Sequence, residues 1–212
     1  VAMETIEKKV ARSLLEIKAV QLRPDEPFTW ASGWKSPIYC DNRKILSYPE
    51  IRSAVADAMV EVISSYFKEI DIIAGVATGA IAIGALVAER MNKPFIYIRP
   101  KPKDHGTGAQ IEGVMPHGAK VVIVEDLIST GMSSLSAAAA VAREGGMVEG
   151  MTAIFSYNFA KARKAFENAN IELHTLSNYD ALIDEAVACG YVKESDLEVL
   201  RDWRFSPETW GV

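Results

Sequence analysis

The chain has 212 residues, 49% of them hydrophobic and 24% charged, with a net charge of −5. That length allows one sizeable core, and the acidic balance disfavours a nucleic-acid binder, whose phosphate contacts need a basic face. No apolar run approaches the roughly 18 residues of a membrane span, and the charged start VAMETIEKKVARSL lacks the apolar stretch of a signal peptide, so a cytoplasmic protein is expected. Cys40 and Cys189 show no metal-ligand spacing and are expected to be reduced thiols.

In chain order, Ile6, Val10, Leu14 and Ile17 recur at three- and four-residue spacing, which predicts an amphipathic helix over about 5–20, ended by Pro24 to Pro27. FTWASGWKSPIYCD is broken by Ser32-Gly33 and Ser36-Pro37 and reads as a hairpin or strand-turn-strand. Pro49 opens a helix running to about Lys68, with Val55, Met59, Val62 and Ile63 on one face. Then the texture changes. DIIAGVATGA, PFIYIRP, KVVIVED and MVEGMTAIFSY read as strands, with AIAIGALVAERMN and SSLSAAAAVAREGG as the helices between them. Strand, turn and helix repeated in this way predict an α/β fold: one doubly wound domain with a central parallel sheet flanked by helices and a small lobe from the first 45 residues or so. LRDWRFSPETW reads as a C-terminal helix and tail.

Two stretches invite a chemical reading. VVIVEDLISTG places Glu125 and Asp126 side by side after a buried strand, where adjacent carboxylates need donors or a cation. The loop behind them, Ser129-Thr130-Gly131-Met132-Ser133, leads into a helix whose free N–H groups suit a phosphate. GVATGAI offers a second such loop at Thr78 and Gly79. A sugar with phosphates at both ends would satisfy all three. Two duller readings compete: a Walker B acid, for which no GxxxxGK[ST] partner exists, and acids that merely cap a turn. The second stretch, RPKPKDHGTGAQIEGVMPHG, has no clear periodicity and begins with Arg99, Lys101, Lys103 and His105 at the carboxyl end of a predicted strand, where open α/β sheets place ligands. His117 and His174 have no partner spacing and are expected to be structural. The four tryptophans are expected to pack, with Trp34 the candidate for stacking on a ligand.

VVIVEDLISTG resembles the phosphoribosyl-pyrophosphate (PRPP) signature of the type I phosphoribosyltransferases. FTWASGWKSPIYCD is similar to the Phe-Thr-x-x-Ser-Gly-x-x-Ser-Pro-x-x-x-Asp segment of the orotate phosphoribosyltransferases, and RPKPKDHGTG resembles their catalytic loop. The likeness runs from about Leu14 to the C-terminus. It implies the type I fold over residues 1–212, with about 1–45 and the C-terminal segment forming a hood over a PRPP-binding core of about 46–176. It also implies formation of orotidine 5′-monophosphate and pyrophosphate from orotate and PRPP with Mg2+, in UMP biosynthesis. Glu125 and Asp126 would hold the ribose hydroxyls, Ser129, Thr130, Gly131, Met132 and Ser133 the 5′-phosphate, and Thr78 and Gly79 the pyrophosphate. Lys35, Tyr39, Cys40 and Ser129 would meet orotate. Arg99, Lys101, Lys103 and His105 would form a mobile loop shared across a homodimer; these with Asp126 are the catalytic candidates. No direct protein ligand to the metal is expected, nor a nucleic-acid or membrane partner.

Two departures stand out: Gly79 where many members carry lysine, and SYNFAKA, 156–162, where many carry Asp-Arg-x-x-Gly with an orotate-binding arginine. Another base, or a PRPP-sensing regulator with a dispensable loop, are the competing readings.

Overall fold

The structure, a computed structural model, describes residues 3–104 and 108–211. α1 (Ile6–Glu16) is capped by Thr5, whose hydroxyl accepts the Lys8 N–H, and it buries Val10, Leu14 and Leu15. It is shorter than its periodicity predicts. The chain turns at Lys18, with φ 56°, and Val20 enters β1 (Val20–Leu22) instead of continuing the helix. β2 (Phe28–Thr29) and β3 (Lys35–Ser36) form the expected small hairpin. β4 (Ile38–Cys40) pairs antiparallel with β1, placing Val20 opposite Cys40. That long-range pairing overrides the local helical pattern.

After a 3-10 segment at Asn42–Ser47, α2 (Pro49–Tyr66) begins on proline and buries Val55, Met59 and Ile63. β5 (Ile72–Val76), α3 (Ile81–Met91) and β6 (Phe95–Ile98) follow. The unassigned Arg99–Gly118 stretch contains β7 (Ile111–Glu112), which returns antiparallel along β6. β8 (Lys120–Ile128), α4 (Met132–Arg143), β9 (Met147–Ser156), α5 (Ala160–Asn168) and β10 (Leu173–Asn178) complete the core, and α6 (Tyr179–Ala188) and α7 (Leu197–Phe205) close the chain.

Among the described residues the central sheet has six strands in the order β10-β9-β8-β5-β6-β7, parallel except at β7. All five residues of β5 are buried, as are Val121 to Val124 of β8, which is why both strands read as unbroken apolar runs. The order reverses between β5 and β8, so the loops that leave these two strands diverge and open a crevice at their carboxyl ends. The last residue pair between them is Gly75 with Val124. β8 then runs on beside β9, Ile128 opposite Ser156. The acidic pair therefore lies inside a strand that has lost one neighbour, not at a strand tip.

The first strands and the last helix meet over the end of β9. Trp203 of α7 is fully buried, and its indole N–H donates to the Lys35 carbonyl at 3.2 Å. No helix among the described residues is long and apolar enough to cross a membrane.

Candidate active site

A cavity of about 390 Å3 lies at the β5/β8 crevice. Its lining brings together Thr78 and Gly79 after β5, Arg99 after β6, Glu125 and Asp126 on β8, and Ser129, Thr130, Gly131 and Ser133 at the start of α4. Gly131 takes φ 84° to turn the strand into the helix, a conformation that favours glycine. Met132 begins α4, and its side chain is 62% exposed and outside the cavity, so only its backbone N–H can serve a phosphate. A larger hollow of about 720 Å3 against α5 and β10 is lined by none of the predicted residues.

The two acids are held differently. Glu125 is 5% exposed and accepts from Ser134 Oγ at 2.8 Å and from the Asp126 N–H at 3.0 Å. Burial, and then Asp126 beside it, push its carboxyl well above the usual carboxylate range, so Glu125 holds its proton and the partly exposed Asp126 carboxylate faces the cavity. Asp126 is anchored through its backbone: Asn42 Nδ2 donates to its carbonyl at 2.8 Å. A carboxyl protonated only in the folded state makes stability fall as pH rises, from the unfolded-state value of 4.5 up to the raised folded value. Glu125→Gln, which keeps the shape without the titration, should flatten that decline in urea midpoints measured from pH 5 to 8; an unaltered pH slope would show that Glu125 is ionised in the fold.

Gly79 explains its own departure from lysine. A Cβ built there would lie 2.2 Å from Asp126 Oδ2 and 2.6 Å from Asp126 Cγ. The β5 loop thus packs directly beneath the Asp126 carboxylate, and any side chain at 79 must swing the acid away. Gly79→Ala should leave the fold intact and raise the KM for PRPP by about tenfold, the scale of one displaced charged hydrogen bond. An unchanged KM would mean that Asp126 can move without cost.

A second pocket of about 300 Å3 adjoins the first, and the two share Leu127 and Ser129. Tyr39 and Cys40 line it as expected, together with Thr29, Trp30, Ala31 and Tyr157. Lys35 is outside its lining but reaches the rim, where Nζ donates to Thr29 Oγ1 at 2.7 Å. Burial pushes the Cys40 thiol up, and Sγ lies 3.2 Å from Asn42 Oδ1, so this cysteine is a neutral wall group. Trp30, not Trp34, faces the pocket; Trp34 stacks against Trp30 with centroids 6.3 Å apart. Tyr157 was not singled out by the sequence, although its place just beyond a parallel strand's carboxyl end is where ligands bind.

Of the loop residues, Arg99 lines the first cavity. Lys103 points elsewhere, to Glu112 Oε1 at 2.8 Å, and Arg99 Nη1 is 3.9 Å from the same carboxylate. Lys101 is exposed and lines neither pocket, while His105 lies outside the described residues. Among the described residues no three His, Cys, Asp or Glu side chains gather as a metal cage. With Glu125 protonated, the donor set fits a cation that arrives bound to a polyphosphate and meets Asp126 alone.

The family model described as "Phosphoribosyl transferase domain" matches residues 41–171, a span that includes the acidic pair and both loops of the crevice. The orotate phosphoribosyltransferase of Porphyromonas gingivalis is 53% identical over 210 residues, covering 99% of this chain and 100% of the relative. That of Cytophaga hutchinsonii is 56% identical over 203 residues, covering 96% and 97%. Among solved structures, orotate phosphoribosyltransferase from Aeropyrum pernix superimposes with a TM-score of 0.74 at 29% identity, covering 86% of this chain and 99% of that one. Leishmania donovani UMP synthase gives a TM-score of 0.78 at 27% identity, covering 93% of this chain and 42% of that one. The chain belongs to the orotate phosphoribosyltransferase family of phosphoribosyl transferase domains.

Proposed function

We propose that the protein transfers the 5-phosphoribosyl group of PRPP to orotate, giving orotidine 5′-monophosphate and pyrophosphate in pyrimidine biosynthesis. The observation that carries this reading is the pair of adjoining pockets that meet at Ser129: one suits a doubly phosphorylated sugar, the other a flat base. Asp126, with Glu125 behind it, takes the ribose hydroxyls. The Ser129–Ser133 backbone and hydroxyls take the 5′-phosphate, and Thr78 and Gly79 the pyrophosphate. Lys35, Tyr39, Cys40 and Ser129 surround the base.

In the reaction the C1–oxygen bond to pyrophosphate breaks and a bond from the orotate ring nitrogen to C1 forms. Positive charge develops on the ribose and negative charge on the leaving group. Arg99, Lys101, Lys103 and His105 favour that state electrostatically when the loop closes, which also excludes water from the reactive sugar. Mg2+ is the cofactor we assign, and when bound through PRPP it neutralises part of the diphosphate charge. We place Lys101, Lys103 and His105 over the neighbouring subunit's site in a homodimer; that Lys101 and Lys103 line neither pocket of their own chain supports this. The first 45 residues or so and the C-terminal helix serve as a hood over the base, a role supported by the Trp203–Lys35 hydrogen bond. The free thiols suit a reducing compartment, and we place the enzyme in the cytoplasm.

Chromatography of a reaction with orotate, PRPP and Mg2+ tests the chemistry. Orotidine 5′-monophosphate and pyrophosphate should form in equal amounts. Release of ribose 5-phosphate with no nucleotide would sink the reading.

A further inference from the structure

The pocket beside the acidic pair holds a polar group that the fold does not use. Tyr157 directly follows β9 and is 3% exposed; its hydroxyl makes no hydrogen bond among the described residues, and it is not sealed from solvent as the unpaired Thr152 Oγ1 is, so it opens onto the pocket that Tyr157 lines. The ring is held in place by its neighbours. Trp30 and Phe159 pack on it with centroids at 5.4 Å, and Phe155 and Trp203 meet it nearly perpendicular at 5.7 Å. Other donors in the same wall are already committed: the Trp30 indole N–H donates to the Ile38 carbonyl at 3.0 Å, and the Cys40 thiol to Asn42 Oδ1 at 3.2 Å. What remains for a ligand is the Tyr157 hydroxyl, flanked by Ser129 and the half-exposed Tyr39.

The charge of the pocket narrows the ligand group. No lysine or arginine is among its lining residues. An anionic base must therefore rely there on neutral donors, with Lys35 held at the rim by Thr29. Burial above all, and then the neighbouring Cys40, push the Tyr157 phenol well above its ordinary range, so it keeps its proton and remains a donor. A hydrogen bond from a neutral donor to a carboxylate is stronger than one to a carbonyl, and it is lost outright when the carboxylate is absent.

We propose that the Tyr157 hydroxyl donates a hydrogen bond to the carboxylate of orotate and is a specificity-determining residue for the base. It fills the place left by SYNFAKA, which offers no arginine at 156–162. The inference rests on orotate being the base, as proposed above.

The test compares wild type with Tyr157→Phe, which keeps the ring packing and removes only the hydroxyl. KM for orotate should rise by about 10- to 100-fold, the loss expected for one hydrogen bond to a charged acceptor. KM for PRPP and the thermal midpoint should stay where they are. The inhibition constant of orotate methyl ester, which has the same ring and no carboxylate charge, should move by less than about threefold. An unchanged KM for orotate would overturn the proposal. So would equal weakening of orotate and its ester, which would place the hydroxyl on a ring carbonyl, or a parallel rise in the KM for PRPP, which would mark general damage. Wild type that fails to turn over orotate would overturn the reaction and, with it, the role of Tyr157 toward orotate, whereas turnover with an unchanged KM in the variant overturns the tyrosine alone.

Discussion

Lys103→Ala is expected to lower kcat by about 10²- to 10³-fold while leaving PRPP affinity nearly unchanged, because the donor acts on charge that develops only in the transition state. The structure shows why ground-state binding should not suffer. Lys103 sits on Glu112, 2.8 Å from Oε1 and 3.0 Å from Oε2, and lines neither pocket. On the proposed mechanism it would reach the reacting centre only on loop closure. Stability should barely change either, since an ion pair this exposed contributes roughly 0–1 kcal/mol. Pre-steady-state turnover together with calorimetric PRPP titration separates these effects. An unchanged rate would remove the loop from the mechanism, and a rate loss matched by lost affinity would make Lys103 a binding group.

Asp126→Asn should weaken PRPP binding by about 10- to 100-fold. The ribose presents hydroxyl donors, and a carboxylate that accepts them is worth roughly 1.5–3 kcal/mol per charged hydrogen bond. Asparagine keeps the volume but loses the charge and offers an NH2 where an acceptor is needed. The fold should tolerate it, because Asn42 grips the Asp126 backbone carbonyl and not the side chain. Glu125→Gln is the informative contrast: a group that already holds its proton has little charge to lose, so PRPP affinity should change far less. Equal losses in the two variants would contradict this division of labour, and intact affinity in Asp126→Asn would remove the acid from ribose binding.

What could be read from the residues follows from how local the forces are. The runs IIAGV and VVIV are strands because both faces of a central parallel strand are buried, and that leaves an unbroken apolar signature. Glu125 and Asp126 were visible because adjacent acids next to such a run have no place in a core. Partners distant in sequence left no such trace. Val20 completes a helical period yet joins a strand, because its partner Cys40 lies across an intervening hairpin. Glu112 hides in an aperiodic stretch, and nothing nearby announces that it holds Lys103. Tyr157 and Trp30 become pocket walls only when Trp203, from the far end of the chain, packs against both rings at 5.7 and 5.5 Å. Gly79 is legible as a turn residue, but the reason no side chain fits there is Asp126, held over it by the crevice between β5 and β8.

On the proposed function the two adjoining pockets are the sugar and base halves of one orotate phosphoribosyltransferase site. The most direct test follows orotate absorbance when the purified protein meets orotate, PRPP and Mg2+, with uracil, adenine and hypoxanthine in parallel. Absorbance should fall with orotate alone, and not when PRPP or Mg2+ is left out. Silence with orotate while another base is consumed, or silence with every base while PRPP still binds, would contradict it.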